Sequence, residues 1–150
     1  MKAFVAVLLL LLPIVGQAKK SPDLRKVFMQ FEKTYLTNNA QSVEKWLASG
    51  VKISETLHLP GGRTSTVSAT RSQLLQSMKR MPISNHTPHG SLKDIHITTQ
   101  SNGRFCGESH ITTAPGSSDR NPENGIKRKI CFKPVGDGYK VTKLVIDVFY

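Results

Sequence analysis

Apolar positions in this chain change their period three times, and those changes divide it into elements. Leu24, Val27, Phe28, Phe31 and Tyr35 recur at helical spacing and give one continuous stripe. Ser21-Pro22 ahead of them has the form of an N-cap followed by proline at the first helical position, and Asn38-Asn39 supplies the stop. A second, short helix is predicted next, with Val43, Trp46 and Leu47 on one face and Gly50 as its terminator. The period then drops to two. In "VKISETLHLP", Val51, Ile53, Leu57 and Leu59 share a strand face, and Glu55 sits among them.

"PGG" at 60–62 is turn chemistry, and "RTSTVS" beyond it reads as a polar partner strand. Thr70-x-x-Gln73 has the form of a capping box, followed by Leu74, Leu75, Met78 and Met81 on the apolar face of a third helix that Pro82 ends. After the loop "ISNHTPHG" the chain alternates to its last residue, through "LKDIHITT", "GRFCGESHITT", "IKRKICFKP" and "VGDGYKVTKLVIDVFY". A long polar loop, "APGSSDRNPENG", interrupts the run. Helix, helix, hairpin and helix followed by four strands is an α+β order: three N-terminal helices packed on a curved, mostly antiparallel sheet of about six strands. The open side of such a sheet is free to face solvent or to pair two copies as a homodimer.

The two cysteines test one strand pairing. Setting Cys106 opposite Cys131 in antiparallel register brings Glu108 to Lys129 and His110 to Lys127 on one face. On the other face Phe105 meets Phe132 and Ile111 meets Ile126. A shift by one residue would set charges against apolar groups. Directly opposed cysteines at a non-hydrogen-bonded position lie within disulfide reach. The alternative is two separate thiols; a redox pair is disfavoured because there is no C-x-x-C spacing.

Met1-Lys2, the apolar run from Ala3 to Leu12 and the small residues Gly16 and Ala18 describe a secretory signal peptide at 1–18. The expectation is export to the periplasm or beyond, with one domain over 19–150, no transmembrane anchor and an oxidising compartment that keeps the disulfide formed. The formal charge of +11 falls to about +10 once Lys2 is removed with the leader. That bias suits an anionic partner: an acidic protein, a cell-wall polymer or a lipid head group. Nucleic acid is disfavoured, because aromatics are few and an exported protein meets little of it.

The element order, with "FEKTYLTNNAQSVEKWLASGVKI", "SATRSQLLQSM" and "GDGYKVTKLVIDV", resembles the nuclear transport factor 2-like superfamily of cone-shaped α+β domains with a cystatin-like fold. That group includes ketosteroid isomerase and polyketide-cyclase-like enzymes beside many non-enzymatic members. The resemblance covers nearly all of the mature chain and implies a pocket between helices and concave sheet, suited to a small hydrophobic ligand. It places Glu55 at or within one residue of the proton-transferring carboxylate of the isomerase-type enzymes. It offers Glu32 where those enzymes carry a helix tyrosine, with Tyr35 one turn later. The late-strand acidic partner has no clear equivalent unless Asp94 or Asp147 supplies it, so the catalytic set is incomplete.

The sequence therefore leaves enzymatic activity open. A binding or interaction module using the pocket or a basic sheet face is the leading expectation. A small lyase or isomerase with Glu55 as acid/base is the alternative, and an envelope-assembly or immunity-type component is a third. Candidate binding residues are Glu32 and Tyr35 for the pocket, and Lys127, Lys129, Lys133 and Lys143 for the sheet face, with Arg128 pointing the other way. No cofactor or metal is expected: His86 and His89 lie in one loop without a nearby carboxylate or thiolate, and zinc needs three or four converging ligands. Neither a nucleophile elbow nor a P-loop is present. Asn85-His86-Thr87 is an acceptor sequon, meaningful only in a eukaryotic secretory route.

Overall fold

The computed structural model describes residues 22–83, 95–112 and 125–150, with side chains omitted at 111 and 112. Helix α1 (Leu24–Leu36) starts at Asp23, whose carboxylate accepts the backbone N–H of Arg25 at 3.2 Å. The expected cap was Ser21, two residues earlier. Aspartate caps as well as serine, and its position fixes the first turn. Asn38 takes a left-handed φ of 55° just past the helix, as the Asn-Asn stop predicts. Asn39 then caps α2 (Ala40–Glu44) by accepting from Ser42 N–H at 3.1 Å.

Helix α2 is shorter than its sequence reading. It ends at Glu44, and Leu47 and Gly50, assigned there to the helix and its stop, already belong to strand β1 (Leu47–Leu59). The cause is long-range pairing. The Val141 N–H donates to the Trp46 carbonyl at 2.7 Å and Leu47 pairs with Val141, so the last strand captures this segment. Five residues of helix have little cooperativity to resist that. Strand β2 (Arg63–Ala69) returns against β1, and α3 (Arg71–Arg80) follows with the expected capping box between Thr70 and Gln73. Leu75 and Met78 of α3 are buried, whereas Met81 is its exposed C-cap and not part of the apolar face.

Strands β3 (His96–Thr99), β4 (Phe105–Thr112), β5 (Gly125–Val135) and β6 (Gly138–Phe149) form an antiparallel meander. The sheet order is β2-β1-β6-β5-β4-β3, with β1 and β6 the one parallel pair among the described strands. The cysteine test gives the observed register: Cys106 faces Cys131 and is bonded to it, Glu108 faces Lys129, and Phe105 faces Phe132. A separation of 25 residues makes the cross-link worth about 3–4 kcal/mol on the loop-entropy account.

Helices and sheet meet over aromatic residues. Phe132 stacks on Phe105 with centroids 4.6 Å apart and receives the edges of Phe28 and Phe31 from α1. All four rings are fully buried. Phe28 has a specific seat, because a Cβ on Gly107 of β4 would lie 2.2 Å from its ring. Gly107→Ala should therefore destabilise the fold by about 2 kcal/mol or more, read as a fall in the urea midpoint. The same substitution in a Phe28→Ala background should cost much less, because the clash is gone. Equal costs in both backgrounds would exclude the ring as the cause.

Candidate functional site

The concave face carries a continuous row across five strands. Val67 on β2 pairs with Glu55 on β1, Glu55 with Ile146 on β6, Ile146 with Arg128 on β5, and Arg128 with Ser109 on β4. Glu55 and Arg128 thus lie two strand spacings apart, roughly 10 Å, with Ile146 between them. The row has two different ends.

At the Arg128 end the charges are closed off. Arg128 Nη1 donates to Glu32 Oε1 at 2.9 Å, and Ser109 Oγ donates to the same oxygen at 2.7 Å. Glu32 is 2% exposed and Arg128 5%. Burial of this kind demands pairing, since an isolated charge in a dry interior costs several kcal/mol. Arg128 Nε remains buried without a partner among the described residues. Helix periodicity places Glu32 on the Phe28–Tyr35 stripe, and strand alternation places Arg128 between Ile126 and Ile130. Each was visible as a charge on an apolar face, yet the sequence reading treated Glu32 as a ligand-binding residue and did not join it to Arg128 or Ser109.

At the Glu55 end the row opens into a half-open cavity of about 450 Å³ bordered by Tyr35, Ile53, Glu55, Leu57, Leu74 and Ile146, with further walls from β2 and α3. That volume is within the usual range for small-molecule sites. Glu55 is exposed and makes no hydrogen bond or ion pair with another described residue. Tyr35 is half-buried, and its ring packs against Phe31 at 6.0 Å. Burial pushes its hydroxyl pKa up; Arg128 nearby pulls it down and Glu55 raises it again. The hydroxyl therefore stays protonated past the ordinary tyrosine range.

The structure brings Tyr35 and Glu55 together at one cavity, while Glu32 lies in the buried pair behind it. Asp147 does not join them. Its neighbour Ile146 faces the cavity, so Asp147 turns to the convex side, where it meets His58 Nε2 at 2.8 Å. Strand alternation excludes it as the late-strand acidic partner. Asp94 lies outside the described residues, as do the expected signal peptide at 1–18, the "HTPH" histidines and the sequon at Asn85. No cluster of three or more metal-ligating side chains occurs among the described residues.

The convex face holds the basic positions. Lys127 and Lys129 alternate outward from β5 on either side of Arg128, and Lys143 follows beside Cys131. Lys129 donates to Glu108 at 2.7 Å, and Lys127 lies 4.8 Å from the centroid of the Phe149 ring. Lys133 is half-buried opposite Lys140, whose ammonium bonds the Lys45 carbonyl. No described helix is long and apolar enough to cross a membrane.

The buried pair yields a direct test. Arg128→Met leaves Glu32 unpaired and should cost about 3–5 kcal/mol in urea unfolding. Adding Glu32→Leu should recover most of that loss; a double variant as weak as the single would show that the pair is not what Arg128 supplies.

No family model matches the sequence, and no curated protein matches it. Solved structures do. An NTF2-like protein of unknown function in nutrient uptake from Rhodospirillum rubrum superposes with a TM-score of 0.59 at 12% identity, covering 86% of this chain and 100% of that one. An NTF2-like protein from Cytophaga hutchinsonii gives 0.56 at 16% identity, covering 85% and 99%. A cystatin-like fold protein from Burkholderia xenovorans gives 0.53 at 8%, covering 84% and 88%. At these identities the likeness concerns the backbone arrangement, and it agrees with the cone described above: the chain has the NTF2-like, cystatin-like fold.

Proposed function

We propose that this is an exported binding protein whose cone cavity takes a small, largely apolar ligand. The observation that carries this reading is the half-open cavity, in which apolar side chains from β1, β2, β6 and α3 converge beside Tyr35 and Glu55. Mostly apolar walls with a few placed polar groups are the usual composition of a ligand site. The disulfide suits an oxidising compartment, which agrees with the leader-like start of the sequence. The acid/base alternative has the Tyr35–Glu55 juxtaposition in its favour. Against it, Glu55 is exposed and not held in a dry apolar pocket, and Asp147 faces away.

Nile red, a neutral dye that brightens in apolar surroundings, provides the test. Its emission should rise with the folded protein and collapse with Leu57→Arg, which places a charge in the cavity wall, while circular dichroism stays unchanged. Undiminished emission from a folded Leu57→Arg variant would sink the cavity reading.

A second surface has its own support. Lys52, Lys127, Lys129 and Lys143 are all exposed on the convex side. A broad cationic face of this kind favours an extended anionic partner. Soluble polyglutamate should bind in a salt-sensitive manner, and joint reversal of Lys127, Lys129 and Lys143 to glutamate should abolish the capture. Capture indifferent to that triple change would remove the face from consideration.

A further inference from the structure

The described lining of the cone cavity contains a carboxylate and no ammonium or guanidinium group, on a chain of formal charge +11. Of the described cations, Arg128 and Arg71 are committed elsewhere, and Arg80, one turn beyond Ser77 on the same face of α3, is exposed and outside the lining. Arg128 is bound to Glu32, and Arg71 at the start of α3 donates to Glu44 at 3.1 Å. Lys52 and Lys143 leave by the opposite face of the sheet. Arg63 pairs with Leu59, four residues along β1 from Glu55. That is roughly 13 Å at strand rise, beyond the Debye length of about 8 Å in physiological salt. The described lining is therefore a local acidic spot on a strongly basic chain.

Each class of head group meets this spot differently. An anionic head would lie against Glu55 with no free cation in the described lining. A neutral head would displace water from Glu55 and leave the carboxylate without a charged partner, which costs free energy. A protonated amine pairs with Glu55, can donate to the Tyr35 hydroxyl oxygen, and gains from the aromatic ring beside it. The apolar walls at Ile53, Leu57, Leu74 and Ile146 then cover a hydrocarbon body. Resting on the cavity reading above, we propose that the ligand is a cationic amphiphile: an alkyl or alicyclic body bearing a protonated amine that pairs with Glu55.

Displacement of Nile red by octylamine, octanol and octanoate at neutral pH tests this with one hydrocarbon body and three heads. Octylamine should compete about five- to tenfold better than octanol, the scale of a charge-assisted hydrogen bond discounted for solvent. Octanoate should be the weakest. Glu55→Gln should erase the advantage of the amine over octanol, with octanol itself competing no worse. Equal competition by octylamine and octanol, an advantage that survives Glu55→Gln, or octanoate competing best would overturn the amine assignment. In those cases the cavity reading stands, provided the dye still responds to Leu57→Arg. If the dye does not bind, the cavity reading itself fails, and the amine inference fails with it.

Discussion

The ion pair between Glu32 and Arg128 is the constraint around which the rest of the cone is arranged. It joins α1 to β5 through two side chains almost completely withdrawn from water. Such pairs contribute little net stability compared with apolar packing of the same volume, but they tolerate few alternative geometries. Ser109 adds a second strand-borne donor to the same carboxylate oxygen. One turn earlier on α1, Phe28 fits over the bare backbone of Gly107. A polar clamp and a steric seat together fix how far α1 stands above the sheet, and so set the width of the space beside it.

The clamp also determines the electrostatics of the cavity. With Arg128 held by Glu32, the concave row presents Glu55 at its open end without a counter-ion among the described residues. Tyr35 stands between the two charges and registers both, Arg128 lowering and Glu55 raising its hydroxyl pKa, with burial the larger influence. Strand β5 separates the roles by alternation alone. Arg128, Ile130 and Phe132 point into the cone, while Lys127, Lys129 and Cys131 point out of it. A register slip of one residue would exchange these sets, and the cross-strand disulfide on the outer face opposes that slip.

What was legible in the sequence was what rests on local periodicity. The stripe from Leu24 to Tyr35, the Thr70–Gln73 box, and the alternating strands all correspond to observed elements. The β4–β5 register was legible because charge pairs, apolar pairs and cysteines agreed on one alignment. The length of α2 was not, because pairing with β6, almost a hundred residues away, decides where β1 begins. The site was half legible. Glu55 and Tyr35 were identified as candidates, but the Glu32–Arg128–Ser109 cluster joins elements that no local pattern links. Its only sequence signal was a pair of opposite charges, each alone on an apolar stripe.

The placement of Glu55 along β1 follows from the same geometry. Val51 and Ile53 on its face are buried, Leu57 is half-buried, and Leu59 is at the exposed end. Glu55 therefore stands where the strand passes from the closed core to the open rim. Two residues earlier its carboxylate would need a buried partner, as Glu32 does. Four residues later, at the exposed Leu59 position, it would be surface charge with little influence on a bound molecule. At the boundary, water stabilises the charge when the cavity is empty, and a ligand can replace that water with a paired group. A carboxylate at this position places little burden on folding and remains free to pair with a ligand of the kind proposed above. Its exposure is thus compatible with the proposed binding role in a way that it is not with a dry proton-transfer site.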